Sequence, residues 1–237
     1  LDVGNSSAKW RLLVGGQERE RGKYSPGDAD SRESLLRCTE VVDSIWIASV
    51  AAAEQEAQLQ SMLQERWGVT PWFARTEAVT GTLVNSYAEP GRMGVDRWLA
   101  MLGARARCTD RLCVVDVGSA LTIDLVAADG RHEGGYIIPG PDLMERALLL
   151  DTGRVRFDEA VDYALEPGRS TAEAVRHGIA VAQVGAVALA LQQAGGEPAL
   201  FFCGGGGEAI MDGLGRGGEL LPDLVFEGLE VMAALRV

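Results

Sequence analysis

The chain has 237 residues, enough for one large domain or for two of about 100–130 residues. Hydrophobic residues make up 47% and charged residues 24%, a balance that can build a core and that excludes a mainly disordered chain. The net charge of −12, without a basic stripe, argues against nucleic acid as a partner.

Cysteine and histidine are few and show no metal-binding or disulfide spacing. The four cysteines form no C-x-x-C pair, which is typical of a reduced, cytoplasmic protein. No signal-peptide pattern is present, and the longest small-apolar stretch, 179–191, contains Gln183 and is too short to cross a bilayer. We therefore expect a cytoplasmic protein without a membrane partner. Because the strand pattern already holds at Leu1, we also expect a few residues to precede it.

The first half of the chain opens on a strand that reaches an Asp-x-Gly bend. The bend reads D-V-G-N-S at residues 2–6, and an extended run follows to the Gly-Gly turn at 15–16. Apolar spacing then predicts helices over 32–38, 54–67 and 98–107 and a buried strand over 41–50. The last of these helices is predicted to start directly after Asp96 and Arg97.

The second half opens in the same way. A strand over 113–116 leads into D-V-G-S at residues 116–119, and the extended run that follows ends at the Asp-Gly turn 129–130. A long Ala-rich helix is predicted over 171–193, and a short strand over 199–203 runs into four glycines at 204–207. The two bends begin at residues 2 and 116, which indicates a duplicated α/β fold with related lobes at 1–108 and 109–237.

The two hairpins favour phosphate binding. A glycine in a bend lets backbone N–H groups face phosphate oxygens, and the neighbouring Asn or Ser adds a donor. The aspartate beside the bend can hold a cation that neutralises the phosphates, and Lys9 can contact the same anion. For a single copy, glycines that serve hairpin geometry alone are the better interpretation. Two matching copies of the hairpin favour phosphate binding instead.

Other nucleotide-binding and hydrolase motifs are absent or misplaced. The sequence has no P-loop and no nucleophile elbow with a matching triad. A G-x-G-x-x-A match at 204–209 lies between a strand and a helix, but too few residues follow it for a Rossmann half. The short remainder of the chain therefore disfavours a dinucleotide-binding fold but leaves a nucleotide contact at this turn open.

Four motifs, taken in order, resemble a known family. They are D-V-G-N-S-S-A-K at 2–9, G-V-D-R at 94–97, D-V-G-S-A-L-T at 116–122 and G-G-Y-I-I-P-G at 134–140. Together they resemble the type III pantothenate kinases of the acetate/sugar kinase–Hsp70–actin superfamily. The resemblance implies a duplicated actin-like (ribonuclease H-like) α/β fold, with two related lobes around a nucleotide cleft. It also implies a homodimer that phosphorylates pantothenate with ATP, Mg²⁺ and a monovalent cation (potassium or ammonium), the first step of coenzyme A biosynthesis.

The family's functional residues carry over motif by motif. The resemblance assigns ATP contacts to the first hairpin and to one hydroxyl of the second: Asp2, Val3, Gly4, Asn5, Ser6, Ser7, Ala8, Lys9 and Ser119. It assigns pantothenate contacts to Tyr87, Gly94, Val95, Asp96, Arg97 and Thr171, with Asp96 as general base. Asp116 matches the monovalent-cation ligand, and glycines 204–206 resemble the adenosine-side turn. Ser6 and Ser119 stand where many relatives have Thr, and both keep the hydroxyl.

Asp96 and Arg97 also suit this reaction on chemical grounds. As a base, Asp96 would orient a primary alcohol and take its proton, while Arg97 would bind a substrate carboxylate with two hydrogen bonds. The alternatives are an Asp that only caps the next helix and an Arg solvated at the surface. Packing for Tyr87 and a helix N-cap for Thr171 are the corresponding alternatives for those residues.

Two other functions stay open on the sequence. A kinase for another small alcohol, such as a sugar, would share the fold, although sugar sites usually offer several acidic or amide side chains. A nucleotide-binding regulatory protein without catalysis is the second, although Asp96, Arg97, Asp116 and Lys9 are all present. Apart from the resemblance, only the small-residue stretch 179–191 favours a dimer.

Overall fold

The computed structural model of the chain describes residues 1–4, 8–38, 41–151 and 155–236. Its contacts group the chain into two compact units. The first unit comprises Leu1–Gly81, Tyr87–Gly103 and Val225–Val237, and the second comprises Thr82–Ser86 and Ala104–Leu224.

The elements of the N-terminal part, in chain order, are β1 (Asp2–Val3), β2 (Ala8–Val14), β3 (Gln17–Tyr24), α1 (Ala29–Leu36), β4 (Trp46–Ser49), α2 (Ala53–Trp67), β5 (Trp72–Phe73), β6 (Val79–Thr80), β7 (Leu83–Val84), a 3-10 turn (Pro90–Arg92) and α3 (Val95–Arg107). Those that follow are β8 (Leu112–Val117), β9 (Ala120–Val126), β10 (His132–Pro139), α4 (Pro141–Asp151), α5 (Thr171–Ala194), β11 (Ala199–Cys203), α6 (Gly207–Leu214), β12 (Glu219–Leu220) and α7 (Leu224–Ala234).

Two five-stranded sheets carry the same topology. The strand order is β3-β2-β1-β4-β5 in the first unit and β10-β9-β8-β11-β12 in the second. In each sheet the first three strands of the chain pair antiparallel, and the fourth and fifth are added parallel to the first. This repeated order confirms the predicted duplication, because both halves place an Asp-x-Gly bend between the first and second strand.

Each sheet has its own apolar core. In the first unit, Ile47 of β4 and Leu63 of α2 are fully buried, and Trp10 of β2 packs with them. In the second unit, Phe202 of β11 packs with residues of β8 and β9 and with Val187 of α5. Each unit therefore has a sheet with its own buried core, and an Asp-x-Gly sequence follows the first strand of each sheet.

Most of the predicted helices are confirmed, with shifted ends. The strand predicted over 41–50 starts only at Trp46, because Val41 is 88% exposed and contributes nothing to the sheet. The helix predicted at 32–38 runs over Ala29–Leu36, with the Asp28 side chain accepting the Asp30 N–H at its start. The helix predicted from residue 98 begins at Val95, which places Asp96 and Arg97 inside its first turn.

The last helix belongs with the first unit, whereas the sequence analysis assigned it to a lobe over 109–237. A Cβ atom on Gly228 would lie 1.9 Å from the carbonyl oxygen of Leu99, so α7 packs directly on the backbone of α3. Arg11 of β2 pairs with Glu230 and lies 4.7 Å from the ring centre of Phe226. The lobe boundary at residue 108 stays a prediction.

Helix α5 is the one helix among the described residues that is long and apolar enough to cross a membrane. The stretch 179–191 lies inside its 24 residues, so the argument that this segment is too short is wrong. In its most apolar window 33% is buried, and Val187 and Leu191 belong to the core of the second sheet. Its buried face also includes the polar Gln183, and most of its other residues are half-buried or exposed.

Candidate active site

The first hairpin bend places Asp2 directly opposite Lys9. These residues are partners in the antiparallel pairing of β1 and β2, and Val3 faces the buried Ala8 in the same register. Gly4 follows β1, while Asn5, Ser6 and Ser7 lie outside the described residues. The bend therefore holds one carboxylate and one ammonium group at its base, as a cation-assisted phosphate site needs.

Asp2 and Asp96 lie close enough for their charges to interact. Burial raises the pKa of Asp2, the positive charges of the Leu1 amino group and of Lys9 oppose this rise, and the negative charge of Asp96 adds to it.

Gly94 makes room for the carboxylate of Asp96. The Gly94 carbonyl accepts the Trp98 N–H (3.2 Å), and Asp96 lies in the first turn of α3. Asp96 is therefore not the N-cap residue itself, but its carboxylate accepts an N–H of the first turn, as the helix-capping alternative expects. Its Oδ1 accepts the backbone N–H of Arg97 at 2.8 Å, and a Cβ on Gly94 would lie 2.6 Å from this oxygen.

Arg97 is a buried arginine that meets Tyr87. Only 5% of Arg97 is exposed, so the alternative of a solvated surface arginine is wrong. Its Nη1 donates to the Tyr87 hydroxyl at 3.0 Å, and the guanidinium carbon lies 5.9 Å from the centre of the tyrosine ring. Val95, beside them, is buried in the core.

The second hairpin brings Asp116 and Ser119 to one end of β8. Asp116 pairs with Thr122 in the register of β8 and β9, and Gly118 and Ser119 form the turn between these strands. Gly140 packs on this turn, since its N–H donates to the Ser119 carbonyl (3.0 Å) and a Cβ there would lie 2.4 Å from the Gly118 oxygen. The end of the predicted 134–140 motif thus supports the second hairpin.

The glycine cluster meets the same end of β8. Gly204 has φ +75°, and a Cβ on it would lie 2.4 Å from both the Asp116 Oδ1 and the Val117 oxygen. The N–H of Gly206 donates to the Val117 carbonyl at 3.0 Å, just before α6 begins. Two of the four glycines are therefore required by close approach to Asp116 and Val117.

Thr171 is the first residue of α5 and is not its N-cap. The cap is Ser170, whose hydroxyl accepts the Glu173 N–H at 3.2 Å. Thr171 is exposed and lines a cavity of about 1200 Å³, with Met144 of α4 and Ile179 of α5 among its walls.

The predicted site residues thus form two groups. Asp2, Lys9, Tyr87, Asp96 and Arg97 belong to the first unit, and Asp116, Ser119, Thr171 and the glycine turn belong to the second. Within the described part of the chain, no three His, Cys, Asp or Glu side chains cluster as a ready-made metal centre. His132, a residue without a predicted role, is buried and hydrogen-bonded to Asp124 and Ser86.

Solved structures with this fold include a Campylobacter jejuni protein described as a Baf family transcriptional activator. It shares 20% identity with a TM-score of 0.61, covering 99% of this chain and 96% of that one. The activator of the 2-hydroxyisocaproyl-CoA dehydratase from Clostridium difficile, solved with bound ADPNP, has a TM-score of 0.54 at 11% identity, with 99% and 94% covered. With the repeated sheets, these likenesses define the class as the duplicated α/β fold of actin-like ATPases and sugar kinases.

The sequence comparisons identify the family within this class. The model of the type III pantothenate kinases matches residues 1–193. A type III pantothenate kinase of Marinobacter nauticus is 40% identical over 180 residues, covering 76% of this chain and 74% of the relative. One from Pseudomonas aeruginosa is 36% identical over 214 residues, with 86% of each covered. The chain belongs to the type III pantothenate kinase family.

Proposed function

We propose that this chain transfers the γ-phosphoryl group of ATP to the primary hydroxyl of pantothenate, the first step of coenzyme A biosynthesis. The observation that carries the proposal is the family match over residues 1–193. Pantothenate has a carboxylate at one end and the reacting hydroxyl at the other. The first unit offers a buried cation, Arg97, beside a carboxylate, Asp96.

Arg97 binds the pantothenate carboxylate in this proposal. A guanidinium presents a planar fork of donors that matches a carboxylate, and its Tyr87 bond holds one branch of the fork in place. Because the arginine is 95% buried, its side chain loses little further entropy when the anion binds. Tyr87, Gly94 and Val95 complete the substrate contacts proposed for the first unit.

Asp96 acts as the general base. The pantothenate hydroxyl oxygen forms a bond to the γ-phosphorus, the bond from that phosphorus to the bridging oxygen of ADP breaks, and Asp96 takes the hydroxyl proton. Phosphoryl transfer passes through a loose transition state, so Asp96 mainly orients the hydroxyl. The backbone N–H of Arg97 donates to the Asp96 carboxylate, and the missing Cβ of Gly94 leaves room for it, so its position is fixed.

The phosphates of ATP contact residues 2–9 and Ser119. Asp2, at the base of the first bend, fits Mg²⁺, because Mg²⁺ in kinase sites is bound by one or two carboxylates together with substrate phosphates. When bound, the ion neutralises charge that develops on the phosphates. Lys9, opposite Asp2, adds a positive charge at the same bend.

Asp116 is the proposed ligand of a monovalent cation. Its Oδ1 and the Val117 carbonyl oxygen converge at the end of β8, since each would lie 2.4 Å from a Cβ on Gly204. Carboxylate and carbonyl oxygens are the donors that hard cations prefer, so these residues fit potassium or ammonium. The glycine turn 204–206, packed on Asp116 and Val117, is proposed to face the adenosine side.

Three further properties follow from the family resemblance as proposals. The enzyme is a homodimer, Thr171 contacts pantothenate, and the protein is cytoplasmic. The exposed position of Thr171 on a cavity of about 1200 Å³ supports the second. Light scattering tests the homodimer, and a monomer at assay concentration would contradict it.

Coupled ADP release with pantothenate and Mg-ATP, in potassium and in sodium buffer, tests the function. We expect pantothenate-dependent turnover that is several-fold faster in potassium. Equal turnover in both buffers would contradict the Asp116 cation site and leave the kinase intact. If no ADP release depends on pantothenate in either buffer, the proposed function is wrong, and other small alcohols are assayed next.

A further inference from the structure

Two threonine hydroxyls of the connection after β5 bond to residues on either side of the proposed general base. The Thr76 hydroxyl donates to the Met93 carbonyl at 2.9 Å. The Trp98 indole N–H donates to the Thr80 hydroxyl at 3.2 Å. All four residues belong to the first unit, so both contacts lie within one compact body.

The Trp98 contact fixes α3 on the helical side of the base. Trp98 is fully buried, and Thr80, which is 5% exposed, donates its own hydroxyl proton to the Glu77 carboxylate at 2.7 Å. A buried indole N–H needs an acceptor, so this bond holds the orientation of the ring and of the helix that carries it. The part of α3 from Trp98 onward is therefore anchored independently of the residues that precede the helix.

The Thr76 contact acts on the peptide group that leads into α3. The Met93 carbonyl belongs to the planar peptide group that joins Met93 to Gly94. Met93 is 3% exposed and has an extended backbone, with φ −79° and ψ 133°. A hydrogen bond to this carbonyl restricts rotation of the peptide plane, and it thereby fixes where the Gly94 backbone lies.

The Asp96 carboxylate occupies the space that a side chain at Gly94 would take. A Cβ on Gly94 would lie 2.6 Å from the Asp96 Oδ1, the oxygen that accepts the Arg97 N–H. We propose that Thr76 is a positioning residue for the general base. Its hydroxyl holds the peptide between Met93 and Gly94 in the orientation that keeps the Asp96 carboxylate on the Arg97 N–H. This inference rests on the proposed function, because it assigns the effect to phosphoryl transfer.

The test is a double-mutant cycle between Thr76→Val and Asp96→Asn. Valine keeps the shape of the threonine side chain and removes its hydroxyl. We expect Thr76→Val to lower kcat about 3- to 10-fold, the loss of one hydrogen bond, with KM for pantothenate and for ATP within about twofold of wild type. In the Asp96→Asn background the same change lowers kcat less than about twofold, because Thr76 acts through the carboxylate.

Two threonine variants serve as controls. Thr76→Ser keeps the hydroxyl and restores the wild-type kcat. Thr70→Val makes the same substitution at an exposed threonine that precedes β5, and it leaves kcat unchanged.

Amide hydrogen exchange of the Arg97 N–H tests the positioning without any substrate, because this N–H is bonded to the Asp96 carboxylate. We expect Thr76→Val to raise its exchange rate about 3- to 10-fold and Thr70→Val to leave it unchanged. Unchanged exchange, unchanged kcat, or a kcat loss of equal size in the wild-type and Asp96→Asn backgrounds overturns the inference. Absence of pantothenate turnover in the wild-type enzyme instead contradicts the proposed function, and the exchange rates then decide the positioning alone.

Discussion

The Arg97 guanidinium donates to the Tyr87 hydroxyl across 3.0 Å, and 5% of the arginine is exposed. The bond joins the first turn of α3 to the segment that precedes the 3-10 turn. In the proposed pantothenate complex, a guanidinium that Tyr87 already holds loses less conformational entropy when the carboxylate binds, which favours affinity.

Replacement of either partner tests this arrangement. We expect Arg97→Lys to raise KM for pantothenate about 10- to 100-fold, because a bidentate charged contact is lost. Tyr87→Phe has a smaller effect in the same direction. The analogue pantothenol, which keeps the hydroxyl but lacks the carboxylate, serves as the control. Its KM changes little in Arg97→Lys, and an equal loss for both substrates would contradict carboxylate binding by Arg97.

Gly94→Ala is expected to lower kcat without unfolding the protein. The added Cβ would lie 2.6 Å from the Asp96 Oδ1, so the flexible carboxylate moves while the backbone stays. A displacement of about 1 Å at a catalytic group can cost 100-fold in rate. Gly91→Ala is the matched control, since nothing lies within 4 Å of its Cβ position. Steady-state kinetics and Tm are measured for both, and wild-type kcat in Gly94→Ala would contradict the need for this space.

Gly204→Ala is expected to destabilise the second unit. Its φ of +75° costs an L-residue about 1–2 kcal/mol, and the Cβ would meet the Val117 carbonyl at 2.4 Å. For a chain of this size each 1 kcal/mol lowers Tm by roughly 2–4 °C. Gly205→Ala, whose Cβ would have no atom within 4 Å, should leave Tm unchanged. Thermal denaturation that fails to distinguish the two variants would contradict this packing.

Asp2→Asn is expected to stabilise the protein at neutral pH while abolishing activity. Burial, with the charge of Asp96, raises the pKa of Asp2, so the folded state binds this proton more tightly than the unfolded state. Stability therefore falls as pH rises through the folded-state pKa, and the penalty is fully present above it. Asn carries no such penalty, so its advantage in Tm shrinks as pH is lowered.

Thermal denaturation across the acidic and neutral range measures this effect. Glu18→Gln is the control, because Arg21 lowers the pKa of Glu18 and its removal brings no stabilisation. An Asp2→Asn variant that is less stable than wild type at neutral pH would contradict a buried, repelled carboxylate. The pairing would then be a stabilising ion pair with Lys9.

The fold could be predicted from the sequence because its signal is repeated. Two Asp-x-Gly bends, each followed by an extended run and a hairpin turn, require the same three-stranded unit twice, and both sheets contain it. The placement of α7 could not be predicted from local pattern. It depends on Gly228 allowing contact with the Leu99 backbone, more than a hundred residues away in sequence.

Motif order predicted the residues of the candidate site, whereas their geometry could not be predicted from the sequence. Motif order identified Asp96 and Arg97. The apolar periodicity, however, predicted that α3 begins at residue 98, three residues after its observed start, because the Gly94 carbonyl already accepts the first helical N–H. The burial of Arg97 was missed as well, since a single arginine in sequence is read as exposed. The hydrogen bonds that join His132 to Asp124 and Ser86 could not be predicted, because they depend on strand register and on a residue 46 positions away in the sequence.

The most direct test of the account compares wild type with Asp96→Asn for formation of phosphopantothenate, detected by mass, at saturating pantothenate and Mg-ATP. We expect the wild-type enzyme to form the product and Asp96→Asn to lower kcat about 10²- to 10⁴-fold, the usual contribution of a general base. The affinity for ATP should stay within about twofold, since Asn keeps the shape of the side chain. Product formation at the wild-type rate by Asp96→Asn would show that Asp96 is not the base and contradict the mechanism.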